Sequence, residues 1–278
     1  MLYLVGTPIG NLADLSPRAI EVLSTVDAIA CEDTRRTGLL LSKFDIKKKL
    51  ISYHEHNRSQ KSPILISMLE AGMNLALVSD AGMPCISDPG EELVRECAQK
   101  NLSVQVIPGP VAAISALALS GLDTKRFIFE GFLPSDGKDR KERLQELVFH
   151  RHTFILYEAP HRILRTLEDL ASIGLGERDT AICRELTKKY EEVLRMQVKD
   201  ACDYFQKTPP RGEFVLVVAG GEPPCKEEIK ILTQEEREAR VSQLIEDNYS
   251  TKEISQLLAI EWNDSRKNVY TFVIKMLQ

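Results

Sequence analysis

The sequence predicts an α/β protein made of two α/β domains, residues 1–119 and 120–221, followed by a linker and a small helical module over 222–278. Three observations predict it. Short apolar runs rich in β-branched residues recur between helical patterns, the mark of a mainly parallel sheet. Pro108, Gly109 and Pro110 interrupt that alternation, and after a helix through Ala112 to Leu119 a second series of strands begins beyond Gly121. Gly220, Gly221, Pro223 and Pro224 then break the chain ahead of a tail whose pattern is helical from about Thr233.

In the first domain, strands are expected at Leu2 to Gly6, Ala28 to Cys31, Leu50 to Tyr53, Leu75 to Ser79 and Ser103 to Ile107. Helices are expected to start at Pro17, Thr37, Gln60 and Gly90. Ser16 ahead of Pro17 reads as an N-cap followed by the proline favoured at the first helical position, and Asp88 ahead of Pro89 reads the same way. The second domain should contribute strands at Phe127 to Phe132, Phe154 to Tyr157, Thr180 to Arg184, Glu191 to Met196 and Phe214 to Val218, the last two suiting a mixed sheet. In the tail, Ser250 or Thr251 caps a short amphipathic helix, a turn falls near Asn263, and a last helix runs from Ser265. Two helices joined by a short polar turn suggest a helix-turn-helix appendage.

A formal net charge of −5 gives no general attraction to polyanions, so any nucleic-acid contact must be local. The basic clusters available are Arg35 with Arg36, Lys47 to Lys49, the Lys138, Arg140, Lys141, Arg143 run, and Arg162 with Arg165; each by itself reads as solvated surface. The cysteines Cys31, Cys85, Cys97, Cys183, Cys202 and Cys225 show no CxxC spacing or Cys/His cluster, so free thiols and no metal site are expected. No apolar run approaches the roughly 20 residues needed to span a bilayer. Gly6, Pro8 and Gly10 come too soon for a signal peptide, and a cytoplasmic protein is expected.

Three loops carry candidate chemistry. Val5-Gly6-Thr7-Pro8-Ile9-Gly10-Asn11 is a glycine-rich turn directly after the first strand, neither GxGxxG nor Walker A, and serves equally as a structural turn or a ligand shelf. Val78 to Gly90 (VSDAGMPCISDPG) places Ser79, Asp80 and a small-residue bend at the carboxyl edge of the sheet, where open α/β sheets bind ligands. Asp80 reads as a ligand contact and Asp88 as a cap. Pro108 to Ala116 is a rigid turn into a helix of small residues, which admits either a neighbouring helix or a flat ligand.

These loops, in this order, resemble the tetrapyrrole-methylase superfamily of S-adenosylmethionine (SAM)-dependent methyltransferases, and more closely its ribosomal RNA branch, the small-subunit cytidine 2′-O-methyltransferases. The specific strings are Thr7 to Leu12, Glu32-Asp33-Thr34-Arg35, Val78 to Gly90, Gly131-Phe132-Leu133-Pro134, Tyr157 to Arg162, Arg184-Glu185-Leu186-Thr187-Lys188 and Gly212-Glu213. The likeness extends from residue 1 to about 221. It implies SAM held in the cleft between the two domains by Pro8, Ser79, Asp80, Ala81, Gly82, Ser87, Ser115, Ala116, Tyr157, Glu158, Gly212, Glu213 and Phe214. It also implies a homodimer without metal, acting on a cytidine ribose in small-subunit (16S) ribosomal RNA, on the assembled subunit.

Glu32, Asp33, Thr34 and Arg35 follow the second strand, while His54, Glu55, His56 and Asn57 follow the third, so both groups should project from one sheet edge. Carboxylates and histidines beside arginines suit orientation of a ribose hydroxyl and capture of phosphate. Asp33, with Glu32 and Arg35, is expected to be catalytic, Asp33 as base; Arg36, His54, His56, Asn57 and Arg162 are expected to meet the substrate. The alternatives are a SAM-dependent methyltransferase of a tetrapyrrole or other small molecule, and a noncatalytic RNA-binding assembly factor. The tail mixes Glu253, Glu261 and Asp264 with Lys252, Arg266, Lys267 and Lys275, so a packing or dimer-stabilising role rivals RNA docking there.

Overall fold

The structure, a computed structural model, describes residues 1–221, 234–246, 249–262 and 265–276. Pro223, Pro224, Cys225 and the turn expected at Asn263 and Asp264 lie outside them. The described chain divides into two compact units, Met1–Gly221 and Glu222–Gln278.

The first unit holds two sheets. Strands β1 (Leu2–Val5), β2 (Ala28–Cys31), β3 (Lys49–Ser52), β4 (Leu75–Val78) and β5 (Val104–Ile107) pair in the order β3-β2-β4-β1-β5, and every pairing is parallel. The central β2 and β4 are buried at every residue, which is why they read as unbroken apolar runs. Helices α1 (Pro17–Thr25) and α2 (Thr34–Ser42) pack Ala19, Leu23 and Leu41 against one face. On the other, α3 (Arg58–Glu70) and α4 (Glu91–Gln99) pack Leu65, Leu69, Leu93 and Cys97. The chain leaves β1 towards β2 and leaves β4 towards β5, in opposite directions. Adjacent β1 and β4 therefore form the point where the winding reverses, and an open crevice is expected at their carboxyl ends.

Ser16 caps α1 as expected, its hydroxyl accepting from the Ala19 amide. The other three starts differ, α3 beginning at Arg58 rather than Gln60. Helix α2 begins at Thr34 rather than Thr37, because Asp33 is its N-cap and accepts from the Arg35 amide. Helix α4 begins at Glu91, with Gly90 at its N-cap and φ +137°, so Asp88 does not cap it.

Helix α5 (Ala112–Ser120) ends at Gly121 and packs Ala113, Ala116 and Leu117 on the second sheet, against Ile155, Ala181, Cys183, Val215 and Val217. That sheet contains β6 (Phe127–Phe132), β7 (Thr153–Glu158), β8 (Asp179–Arg184), β9 (Glu192–Gln197) and β10 (Phe214–Val218), in the order β6-β7-β10-β8-β9. It is mixed: β6 and β7 run parallel, and the other pairings are antiparallel. The alternate residues Phe154, Leu156, Ile182, Leu216 and Val218 point to the opposite face. There they meet α6 (Gly137–Val148), α7 (Ile163–Leu170) and α8 (Val198–Lys207), helices the sequence reading did not place. Ile163, Leu167 and Leu170 of α7 are fully buried, each contributing about 1.5–3 kcal/mol of apolar burial.

Among its described residues the second unit shows three helices, α9 (Gln234–Glu246), α10 (Thr251–Glu261) and α11 (Arg266–Met276), in keeping with the helical pattern expected from about Thr233. Val241, Leu244, Ile254, Leu258, Trp262, Val269 and Val273 form its own core. Ser250 and Glu253 make a reciprocal capping box at the start of α10, and Ser265 accepts from the Asn268 amide at α11. Cys31, Cys85, Cys97, Cys183 and Cys202 are free thiols. Among the described residues no helix is long and apolar enough to cross a membrane.

Candidate functional site

The carboxyl edge of the parallel sheet is held together by its loops. The Thr7 amide donates to the Gly82 carbonyl at 2.8 Å and the Gly82 amide returns the bond to Thr7 at 3.1 Å. Buried Ser79 donates its hydroxyl to the carbonyls of Ala81 (3.3 Å) and Gly82 (3.2 Å), which fixes the bend after β4. Gly6 and Gly109 bring the first and third loops into direct backbone contact. Two of the bonds that join the second sheet to this assembly lie next to these loops. The Ala113 amide at the start of α5 donates to the Tyr157 hydroxyl at 3.2 Å, and the Asn11 amide donates to Thr187 Oγ1 at 3.1 Å.

Between these elements lies a cavity of about 320 Å³, within the range usual for small-molecule sites. Of the expected cofactor residues, Ala81, Gly82, Ser87, Tyr157, Glu158, Glu213 and Phe214 line it. The others surround or support the wall. Pro8 is half-buried beside Thr7. Ser79 holds the bend. Ser115 turns its hydroxyl to the Val111 carbonyl, and Ala116 is buried against the second sheet. At Gly212, φ is +89° and a Cβ would stand 2.6 Å from Glu185, so glycine is required there. Asp80 turns away from the cavity, accepting from the Asp33 amide at 3.2 Å and from Arg36 at 3.0 Å.

Sequence reasoning missed much of the apolar lining, including Ile9, Met83, Val111, Phe132 and Leu186. It also gave Asp88 the wrong role. Cys85 and Ser87 take left-handed conformations (φ +72° and +59°), and Gly90 completes the turn, so Asp88 faces the cavity instead of α4. Burial, then the neighbouring Glu32 and Asp80 carboxylates, push its carboxyl up to about 7. Glu158 is buried and saturated: it accepts from the Ala159 amide, from Thr166 at 2.6 Å, and pairs with Arg162 at 3.2 Å. Among the described residues no lysine, arginine or histidine lines the cavity.

Beside the cavity, the loops after β2 and β3 form a polar rim. Glu32 feels Asp80, Arg36 and His54, and burial raises its carboxyl above the usual range. His54 and His56 lie edge to face at 6.0 Å, and Asn57 Oδ1 accepts from the His54 amide at 2.9 Å. Asp33 and Arg35 do not reach outward together as an extended pair would, because the chain there has already entered a helix. Instead Arg35 donates to Asp33 from its amide (2.8 Å), Nε (3.3 Å) and Nη2 (2.9 Å). Those bonds hold the Asp33 carboxyl down at about 2, which leaves it little capacity to take a proton at neutral pH.

Two basic residues singled out in the sequence are committed to structure. Arg162 donates to the Leu133 carbonyl at 2.6 Å while pairing with Glu158. Arg140 is buried against Asp169, Thr166 and the Pro134 carbonyl. Both fasten the Gly-Phe-Leu-Pro turn that carries Phe132 to the cavity wall.

The model of the tetrapyrrole (corrin/porphyrin) methylases matches residues 1–202. The ribosomal RNA small subunit methyltransferase I of Synechocystis is 46% identical over 276 residues, covering 99% of this chain and 98% of that protein. The protein of the same name from Thermotoga maritima is 46% identical over 221 residues, which cover 80% of this chain but 99% of the relative. Among solved structures, uroporphyrin-III C-methyltransferase from Thermus thermophilus, complexed with S-adenosyl homocysteine, superposes with a TM-score of 0.56 at 17% identity, over 78% of this chain and 96% of that one. The matched sequence and the shared two-sheet fold agree: the chain belongs to the tetrapyrrole methylase family and, within it, to the group of proteins named ribosomal RNA small subunit methyltransferase I.

Proposed function

We propose that the chain is a cytoplasmic, homodimeric methyltransferase that uses SAM to methylate a cytidine ribose 2′-oxygen in small-subunit ribosomal RNA, on the assembled subunit. The observation that carries the reading is the cavity wall, which combines apolar side chains with Asp88, Glu158 and Glu213 and has no cationic side chain among the described residues. SAM bears a sulfonium, an ammonium and one carboxylate, a net positive charge on a largely apolar frame. The wall fits that chemistry. Gly82, at φ +87°, lets the ligand approach the backbone, because a Cβ there would already stand 3.4 Å from Ile9 and from the Pro110 carbonyl.

Ala81, Gly82 and Ser87 would hold the cofactor from the first sheet, and Tyr157, Glu158, Glu213 and Phe214 from the second. When bound, SAM supplies the methyl: the sulfonium S–C bond breaks with its electron pair on sulfur, an O–C bond forms to the ribose oxygen, and the O–H proton leaves to an acceptor. Holding the ribose oxygen in line is the protein's main contribution, since orientation alone is worth several kcal/mol. Glu32, Arg36, His54, His56 and Asn57 form the rim on which a nucleotide would rest, and Arg35, whose side chain is 87% exposed, has free donors for a phosphate.

RNA is favoured over a tetrapyrrole because the chain is 46% identical over 276 residues to a protein named ribosomal RNA small subunit methyltransferase I and 17% identical to the uroporphyrin-III C-methyltransferase. The complete loops argue equally against a noncatalytic assembly factor. The test is incubation with labelled SAM and undermethylated small subunits, followed by partial alkaline hydrolysis. 2′-O-Methylation removes the cleaving nucleophile and leaves a gap in the ladder; a continuous ladder after confirmed incorporation places the methyl on a base and rejects the assignment.

A further inference from the structure

We propose that Asp88 is the proton acceptor of the reaction, its cavity-facing carboxylate taking the ribose 2′-hydroxyl proton as the new O–C bond forms. The inference rests on the function proposed above. Three carboxylates line the cavity, Asp88, Glu158 and Glu213. Glu158 has both oxygens engaged by the Ala159 amide, Arg162 and Thr166. Glu213 is paired with Lys188 at 2.9 Å. Among the described residues no cation forms an ion pair with Asp88.

The chain goes to some expense to put Asp88 there. Two non-glycine residues just before it, Cys85 and Ser87, sit at positive φ, a strain that proteins concentrate at functional sites. The groups facing Asp88 are Glu32 from the loop after β2, Asp80 and Cys85 from its own loop, the Ser79 hydroxyl, and Tyr157 from β7. None is a cation. With burial, Glu32 and Asp80 keep the carboxyl near 7, where an acceptor best combines an ionised fraction with affinity for a proton. On the rim, Asp33 is excluded by its three bonds from Arg35.

In the step, the oxygen's O–H bond breaks, its electron pair goes to the new O–C bond, and the proton goes to Asp88 Oδ. Asp88 becomes a neutral carboxylic acid and returns the proton to water when the product leaves. A cationic ligand in the cavity favours the ionised, proton-accepting form beforehand.

The test measures single-turnover methylation of undermethylated small subunits at saturating SAM, from about pH 5.5 to about pH 8.5, for the parental protein, D88N and D88E. The parental rate is expected to rise with pH and to level off below about 7, the value for the empty cavity, because bound SAM favours the ionised carboxylate. D88N should be slower by roughly 10²- to 10⁴-fold and lose that pH dependence, and D88E should recover part of both. Calorimetry in buffers of different ionisation enthalpy gives a reading independent of turnover: near neutral pH, SAM binding releases protons with the parental protein and not with D88N. A D88N variant with the parental rate and profile overturns the role, as does a defect that vanishes at saturating SAM, which would make Asp88 a cofactor-holding residue alone. If the parental protein binds SAM with proton release yet leaves subunits unmethylated, the proposed function fails and the acceptor role fails with it. An active parent with an unaffected variant overturns the acceptor role alone.

Discussion

Gly6 and Gly109 meet backbone to backbone: a Cβ on Gly6 would stand 2.6 Å from the Gly109 Cα, and one on Gly109 would stand 2.8 Å from the Gly6 Cα. No rotamer relieves a clash of backbone with backbone. Gly6→Ala should therefore part the first and third loops, lower stability by roughly 1–3 kcal/mol and reduce SAM affinity together. Gly38→Ala is the contrast, since its Cβ would find Leu50 at an ordinary 3.8 Å inside α2, where alanine should stabilise by about 0.5–1 kcal/mol. Denaturant titration of both variants, with calorimetry of SAM binding, checks the pair.

Gly82→Val is expected to abolish SAM binding while the far-ultraviolet circular dichroism stays parental. Its backbone has φ +87°, which a β-branched residue adopts only under strain, and the side chain would project from the cavity wall. Unchanged affinity in a folded variant would remove this loop from the cofactor site.

Asp88 should also register in the pH dependence of stability. Its carboxyl is raised from 3.8 to about 7, so between those values the folded state holds more protons than the unfolded state. Stability contributed by this group is thus present below about 4 and lost as pH rises through about 7. Asp88→Asn mimics the protonated form. Thermal melts should show a gain in Tm for the variant at alkaline pH and almost none under acid conditions; equal shifts at both would mean the carboxyl titrates normally.

Asp33→Asn should leave single-turnover methylation within about three-fold of the parental rate, because asparagine retains the cap on α2 and Asp33 already belongs to Arg35. A loss of two or more orders of magnitude, with SAM affinity intact, would restore Asp33 as the base.

Truncation after Gly221 should spare SAM affinity and weaken methylation of subunits. Residues 222–278 form a separate unit with its own core, and the Thermotoga relative is matched over 99% of its length by only 80% of this chain. Sedimentation and calorimetry of the truncated protein decide: loss of the dimer or of SAM binding would make the module structural.

The parallel half of the fold is legible because its strands are covered on both faces, which turns them into apolar runs, and because Ser16-Pro17 marks a helix start chemically. The same reasoning misplaces Asp88, since Asp-Pro has the local signature of a cap while the outcome is set by the left-handed Ser87 beside it and Gly90 two positions on. It misplaces the start of α2 because Thr34, Arg35 and Arg36 are polar, and periodicity sees only the later leucines. Glu158 and Tyr157 are found through the family strings. Met83, Phe132 and Leu186 lie in those strings as well, yet nothing local marks them as cavity lining, because their convergence depends on contacts between distant segments.

Among the described residues no lysine, arginine or histidine lines the cavity, and that bears on which ligands it would turn away. ATP and other nucleotides share the adenosine half of SAM, but they carry phosphates that depend on cationic side chains or a bound metal for neutralisation. Asp88, the lining carboxylate without an ion pair among the described residues, would repel such phosphates where it would attract the sulfonium of SAM. With SAM held as proposed above, this wall would act as a charge filter, disfavouring the cell's anionic adenosine compounds by their tails.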